Sequence, residues 1–159
     1  MARPYRVHMP FIHFNQHAQA ADTIAHAAGA TAPMDDTTRC DARTRLVARA
    51  VTLLRDSINE PVTMAELSRK AGVSERTLRA AFHDVLGLSP KQYALAQRLR
   101  AAHDALCVAD PGTTTVTDIA TTYGFFELGR FAGRYRHAFG EVPSRTLHHA
   151  AGSWAGEAA

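Results

Sequence analysis

Apolar positions three and four residues apart open the patterned part of the chain. From Asp41 onward, Leu46, Val47, Ala50, Val51, Leu54 and Ile58 share one helical face, and Asn59-Glu60-Pro61 ends the run. Thr63-Met64-Ala65-Glu66 reads as a reciprocal capping box that starts a second helix. That helix stops near Ala71, because Gly72 can take the left-handed backbone that a sharp turn requires. Ser74 caps a third helix, Glu75–Leu86, which Gly87 closes. Ser89-Pro90-Lys91-Gln92 opens a long helix with Tyr93, Ala96, Leu99, Ala102 and Leu106 on one face. Over residues 90–107 it spans roughly 26 Å at about 1.5 Å per residue. Beyond Asp110-Pro111-Gly112, Thr115-Val116-Thr117-Asp118 starts another helix, and Gly124 ends it. The expected fold class is all-α.

An internal repeat organises these helices. A shift of 52 sets Thr63 on Thr115, Glu66 on Asp118, Leu67 on Ile119, Ser68 on Ala120 and Gly72 on Gly124. A shift of 53 then sets Leu78 on Phe131, Phe82 on Tyr135, Leu86 on Phe139, Gly87 on Gly140 and Pro90 on Pro143. The second copy has one extra turn residue. In each copy a small residue lets two helices approach and a glycine turns the chain, as a helix-turn-helix requires.

The apolar stripes leave defined outward faces. On the third helix Leu78, Phe82, Val85 and Leu86 point inward, so Glu75, Arg76, Arg79, Ala80 and His83 lie outside. On the helix that follows Gly124, the repeat counterpart of the third, Phe131, Tyr135 and Phe139 point inward, and Arg130, Gly133 and Arg134 lie outside. Arginine suits phosphate oxygens and the guanine O6/N7 edge through its planar fork, and alanine can touch a thymine methyl. Glu127 stands where a serine or aspartate cap is usual, and Gly133 offers no side chain.

Charge follows the repeat. Positions 41–150 hold 15 Lys+Arg against 11 Asp+Glu, net +4, while positions 1–40 hold 3 of each sign. An anionic partner therefore belongs to the repeat region. Residues 1–40 combine a mixed run from Val7 to Phe14, an Ala-rich stretch expected to be helical, and a linker reading at Gly29, Pro33 and Asp35-Asp36-Thr37-Thr38. The domain boundary is placed near Arg39. Residues 41–150 form the expected DNA-binding domain and residues 151–159 a flexible tail.

No apolar run approaches the length of a membrane span, and residues 1–10 lack the apolar core of a secretory signal, so the chain is read as cytoplasmic. Cys40 and Cys107 are too few for a disulfide framework and are expected to fill small buried positions. His8, His13 and His17 have no carboxylate at matching spacing, so no metal or other cofactor is expected, and His148-His149 read as an exposed helix end. The chain shows no nucleophile elbow, paired-carboxylate arrangement or phosphate loop, so it is not expected to be an enzyme.

From about Arg43 to Leu147 the sequence resembles the arabinose-regulator (AraC/XylS) family of bacterial transcription factors. The resemblance rests on Gly72-Val73-Ser74-Glu75-Arg76-Thr77-Leu78, on Phe82 with Gly87-Leu88-Ser89-Pro90, and on Phe139-Gly140-Glu141-Val142-Pro143-Ser144. Leu128-Gly129-Arg130-Phe131-Ala132 with Tyr135-Arg136 is similar to a subgroup carrying Gly-Arg-Phe-Ala in its second unit. The resemblance implies two homeodomain-like helix-turn-helix subdomains joined by the long helix, with Arg76, Arg79 and Ala80 at groove-facing positions. It further implies double-stranded DNA and RNA polymerase as partners and binding to two adjacent major-groove segments. The leading reading is a monomer on DNA, with a dimer left open, whose two reading helices lie about one helical turn, roughly 34 Å, apart unless the DNA bends to meet them. Relatives of this subgroup carry a larger N-terminal sensing or dimerisation domain, so the chain is expected to be a shortened relative. Two other readings stay open here: a decoy that occupies a relative's site without activating, and a helical protein-interaction module.

Overall fold

The computed structural model describes residues 36–154 apart from residue 61, with side chains described from residue 42 to residue 149. Seven helices and no strands occur among them: α1 (Asp36–Asp56), α2 (Met64–Ala71), α3 (Glu75–Leu86), α4 (Pro90–Val108), α5 (Val116–Thr122), α6 (Leu128–Phe139) and α7 (Pro143–Trp154). The all-α expectation holds, and so does the long helix after Pro90. The run near Val7, the Ala-rich stretch, Gly29, Pro33, Cys40 and the three early histidines lie outside the described residues or side chains.

The helix starts follow from hydrogen bonds close in sequence. Ser74 Oγ accepts the Thr77 amide at 3.1 Å. Ser89 Oγ accepts the Gln92 amide at 3.2 Å while Gln92 Oε1 accepts the Ser89 amide at 2.9 Å, closing the box that starts α4. Three expectations are corrected. Asp36, Thr37 and Thr38, read as linker, belong to α1. The Thr63 box is only half formed. Its hydroxyl accepts the Glu66 amide at 3.2 Å, but Glu66 turns to Lys70 at 3.4 Å, a competing partner one helical turn away. Residues 151–154, read as tail, continue α7.

The chain divides into two compact units, with the change at Gln97/Arg98 inside α4. In the first, α1 packs on α2 and α3. Its core joins Val47, Ala50, Val51 and Leu54 to Leu67, Leu78, Ala81, Phe82, Leu86 and Tyr93. Val85 is only half-buried and Ala81 takes the inward position beside Phe82. In the second unit α5, α6 and α7 pack on one another, and the buried residues include Leu99, Ala102, Leu106, Ile119, Phe125, Phe131, Tyr135, Ala138 and Leu147.

Candidate nucleic-acid interface

Each unit builds a helix pair around one turn. After α2, Gly72 has φ 74°, and the Val73 amide returns to the Ser68 carbonyl at 3.1 Å. After α5, Gly124 has φ 73°, and the Phe125 amide returns to the Ala120 carbonyl at 2.8 Å. These bonds cover helix-end carbonyls while reversing the chain, and a Cβ in that backbone region would be strained. Ser68 and Ala120 are both buried at the crossing, so small side chains there let the helices close. In the second copy Thr115 and Asp118 form the full reciprocal box that Thr63 and Glu66 lack.

The outward residues fall where the stripes put them. On α3, Arg76, Arg79, Ala80 and His83 are exposed and Glu75 is half-buried. On α6, Arg130, Gly133 and Arg134 are all exposed. The arginines differ in how they are held. Arg79 donates to Glu75 at 2.7 Å, four residues away, and Arg130 to Glu127 at 2.9 Å, three residues away. Glu127 makes no capping bond to α6, as expected. Arg76 and Arg134 have no carboxylate partner among the described residues. The charge of Arg134 acts on Arg98 of α4, which lies over the Phe125 ring at 5.6 Å. Burial lowers the Arg98 pKa, and Arg134 lowers it further, so an anion placed beside this pair relieves repulsion.

Several features escaped sequence reasoning. The i,i+3 and i,i+4 spacings of Glu127–Arg130 and Glu75–Arg79 were the available signal for the ion pairs. Phe126, in the turn before α6, is 72% exposed, and Leu128 of α6 is also exposed. Gly133, Arg136, His137 and Gly140 line an open depression along α6. Cys107 is exposed instead of buried, its thiol 3.5 Å from His103 Nε2, because it follows buried Leu106 around the helix. Phe139 is half-buried and stacks on His103 at 4.2 Å. Behind α6, Tyr135 Oη lies 2.6 Å from His103 Nδ1 and donates to Thr146 Oγ1 at 2.8 Å. Thr146 in turn donates to Glu141 Oε1 at 2.6 Å. Burial holds the Tyr135 phenol well above its ordinary pKa and pushes His103 below its own.

Two capped, glycine-turned helix pairs with arginines on the second helix define a helix-turn-helix protein, and residues 67–149 match the family model of a helix-turn-helix domain. The chain belongs to the AraC/XylS family of helix-turn-helix transcription regulators. It is 38% identical to a probable AraC family transcriptional regulator from Rhodopseudomonas palustris, with a TM-score of 0.62 over 67% of this chain and 97% of that one. A transcriptional regulator with an AraC-type DNA-binding domain from Chromobacterium violaceum matches 69% of this chain and 96% of its own, at 27% identity and TM-score 0.63. The probable thc operon regulatory protein of Rhodococcus erythropolis is 39% identical over 64% of this chain and 31% of its own length. The XylDLEGF operon transcriptional activator 3 of Pseudomonas putida is 34% identical over 67% and 32%. The chain thus spans about a third of the length of these two relatives.

Proposed function

We propose that the chain is a sequence-specific regulator of transcription whose α3 and α6 read two adjacent major-groove segments of duplex DNA. The observation that carries this reading is the repetition itself: each capped helix pair ends in a helix whose outer face bears exposed arginines. Glu75, Arg76, Arg79, Ala80 and His83 form the first reader, and Arg130, Gly133 and Arg134 the second. Residues 41–150 make up the DNA-binding region. The two readers carry different side chains, so the site is asymmetric and one copy of the chain suffices. Arg79 and Arg130 leave their carboxylates to meet DNA, a small sacrifice because exposed pairs contribute only about 0.2–1 kcal/mol.

Selection of bound sequences from random duplex DNA, followed by footprinting, tests the reading. The expected result is a non-palindromic site with protection over two neighbouring groove segments and an affinity that falls steeply with salt. A footprint with two-fold symmetry, or binding indifferent to salt, overturns it. Relatives named as XylDLEGF operon transcriptional activators support an activating role, and RNA polymerase is the partner we propose for it. Transcription with purified polymerase checks that part: occupancy of the selected site without a rise in transcript refutes activation.

A further inference from the structure

The hydrogen-bond chain behind α6 has a direction. A carboxylate only accepts, so the Thr146 hydroxyl donates to Glu141 and Thr146 Oγ1 is left to accept from Tyr135. With the Tyr135 hydrogen committed to Thr146, Tyr135 Oη accepts from His103, whose Nδ1 therefore carries a hydrogen. Nε2 is left with its lone pair towards Cys107 Sγ, and the ring lies flat on Phe139, 9° from parallel. The chain ties α6, through Tyr135 and Phe139, to His103 of α4, Thr146 of α7 and Glu141 in the turn between.

We propose that His103 is a positioning residue for α6, holding the second reader in one pose through Tyr135, Thr146 and Glu141 and loosening it on protonation. Added to Nε2, a second proton meets Cys107, whose sulfur is a weak acceptor and whose own hydrogen must turn away. The charge is half-buried against Phe139 and Tyr135. Asp104 and Glu141 favour it, Arg100 opposes it, and Arg145, 3.8 Å from Glu141 Oε2, draws on the same carboxylate. Burial is the largest of these influences and favours the neutral ring.

The proposal rests on reading α6 as a DNA-contacting helix, so its test has two separate readouts. Protection of α6 amides against hydrogen exchange in the full chain reports the pose, with α3 amides as reference. Fluorescence anisotropy with duplexes selected from random sequence reports the consequence. Thr146→Val, which keeps the shape and removes the hydroxyl, is expected to lower α6 protection about tenfold, and Thr146→Ser to restore it. In the wild type, α6 protection and duplex affinity fall together as the pH drops below about 6.5, the ordinary histidine value. His103→Asn keeps an amide donor near the Nδ1 position without titrating and flattens both profiles. If His103→Asn does not fold, Tyr135→Phe serves instead, since breaking the chain there also uncouples α6 from His103. Unchanged α6 protection in Thr146→Val, or a wild-type pH profile in the non-titrating variant, overturns the positioning role. A wild type that binds no duplex overturns the DNA reading alone, because exchange still decides the pose.

Discussion

The two units use one backbone plan and fasten it differently. In the first unit the helix pair closes on a core with Phe82 edge-on to Tyr93 at 6.0 Å, and the Tyr93 hydroxyl accepts from Gln97 at 2.8 Å one turn along α4. In the second, Tyr135 stands at the repeat position of Phe82 and carries its hydroxyl into the His103–Thr146–Glu141 chain. Apolar packing tolerates small shifts, whereas a chain of directed donors fixes a pose and exposes it to pH. The N-terminal ends differ as well. Ser74 caps α3, while Glu127 leaves α6 uncapped and pairs with Arg130. Each unit thus holds a buried tyrosine, its hydroxyl bonded to Gln97 in the first and drawn into a chain across three helices and a turn in the second.

The largest effects lie where the units agree. Phe82 and Phe131 are each almost wholly buried, so replacing either with alanine is expected to destabilise its unit by about 3–5 kcal/mol. Denaturant melts of Phe82→Ala and Phe131→Ala measure this. A loss under about 1 kcal/mol in either would mean that the unit repacks around the cavity or draws little on that ring.

Next come the readers, where the units diverge in chemistry. Arg79→Ala is expected to weaken binding by roughly 1–3 kcal/mol and to relax preference at one or two base pairs of the first segment. Arg134→Ala, which removes a cation whose charge opposes Arg98 and breaks no carboxylate pair, weakens binding across sequences and leaves the melting temperature unchanged. Arg130→Ala weakens binding less than Arg134→Ala, since Arg130 first gives up Glu127. Affinities on a panel of single-base variants check all three. Equal base sensitivity in both segments would erase the contrast between the readers.

Much of this was legible in the sequence because turn chemistry is local. Gly72 with Ser74, and Ser89 with Pro90 and Gln92, act within a few residues, and the shift of 52 to 53 brought the second copy with them. The Glu75, Arg76, Arg79, Ala80 and His83 face followed from helical spacing alone. The His103 chain was not legible, since it gathers residues from α4, α6, α7 and a turn, and Tyr135 looked like one more member of an apolar stripe. Thr63 and Glu66 misled in part: Thr63 caps the helix, but the Glu66 carboxylate pairs with Lys70 instead of completing the box. Asp36 was misread because short polar residues suit both linkers and first helical turns.

Acid separates the units more gently. His103 has a folded-state pKa below its ordinary value near 6.5, so the unfolded chain takes up the proton first as the pH falls. The second unit keeps its full stability above that value and loses it progressively as the pH drops below it. Melts at stepped pH are expected to show this loss in the wild type and not in His103→Asn. An acid loss of equal size in both would assign it to other groups.

The smallest contrast is one oxygen atom at the helix crossing. Ser68 is buried at 5% exposure, and its hydroxyl has no hydrogen-bond partner among the described residues, whereas its repeat counterpart Ala120 is wholly buried with no polar atom to satisfy. A buried hydroxyl left unpaired costs about 1–3 kcal/mol, and alanine also has the higher helix propensity by a few tenths of a kcal/mol. Ser68→Ala is therefore expected to be neutral or to stabilise the first unit by up to about 1 kcal/mol, the small void offsetting part of the gain. Ala120→Ser is expected to destabilise the second unit, because it adds a hydroxyl at a wholly buried position of the crossing. Paired denaturant melts of the two exchanges measure the difference. If Ser68→Ala lowers stability by as much as Ala120→Ser does, the hydroxyl has a partner in solution, and the two crossings are not the equivalent sites that the repeat makes them.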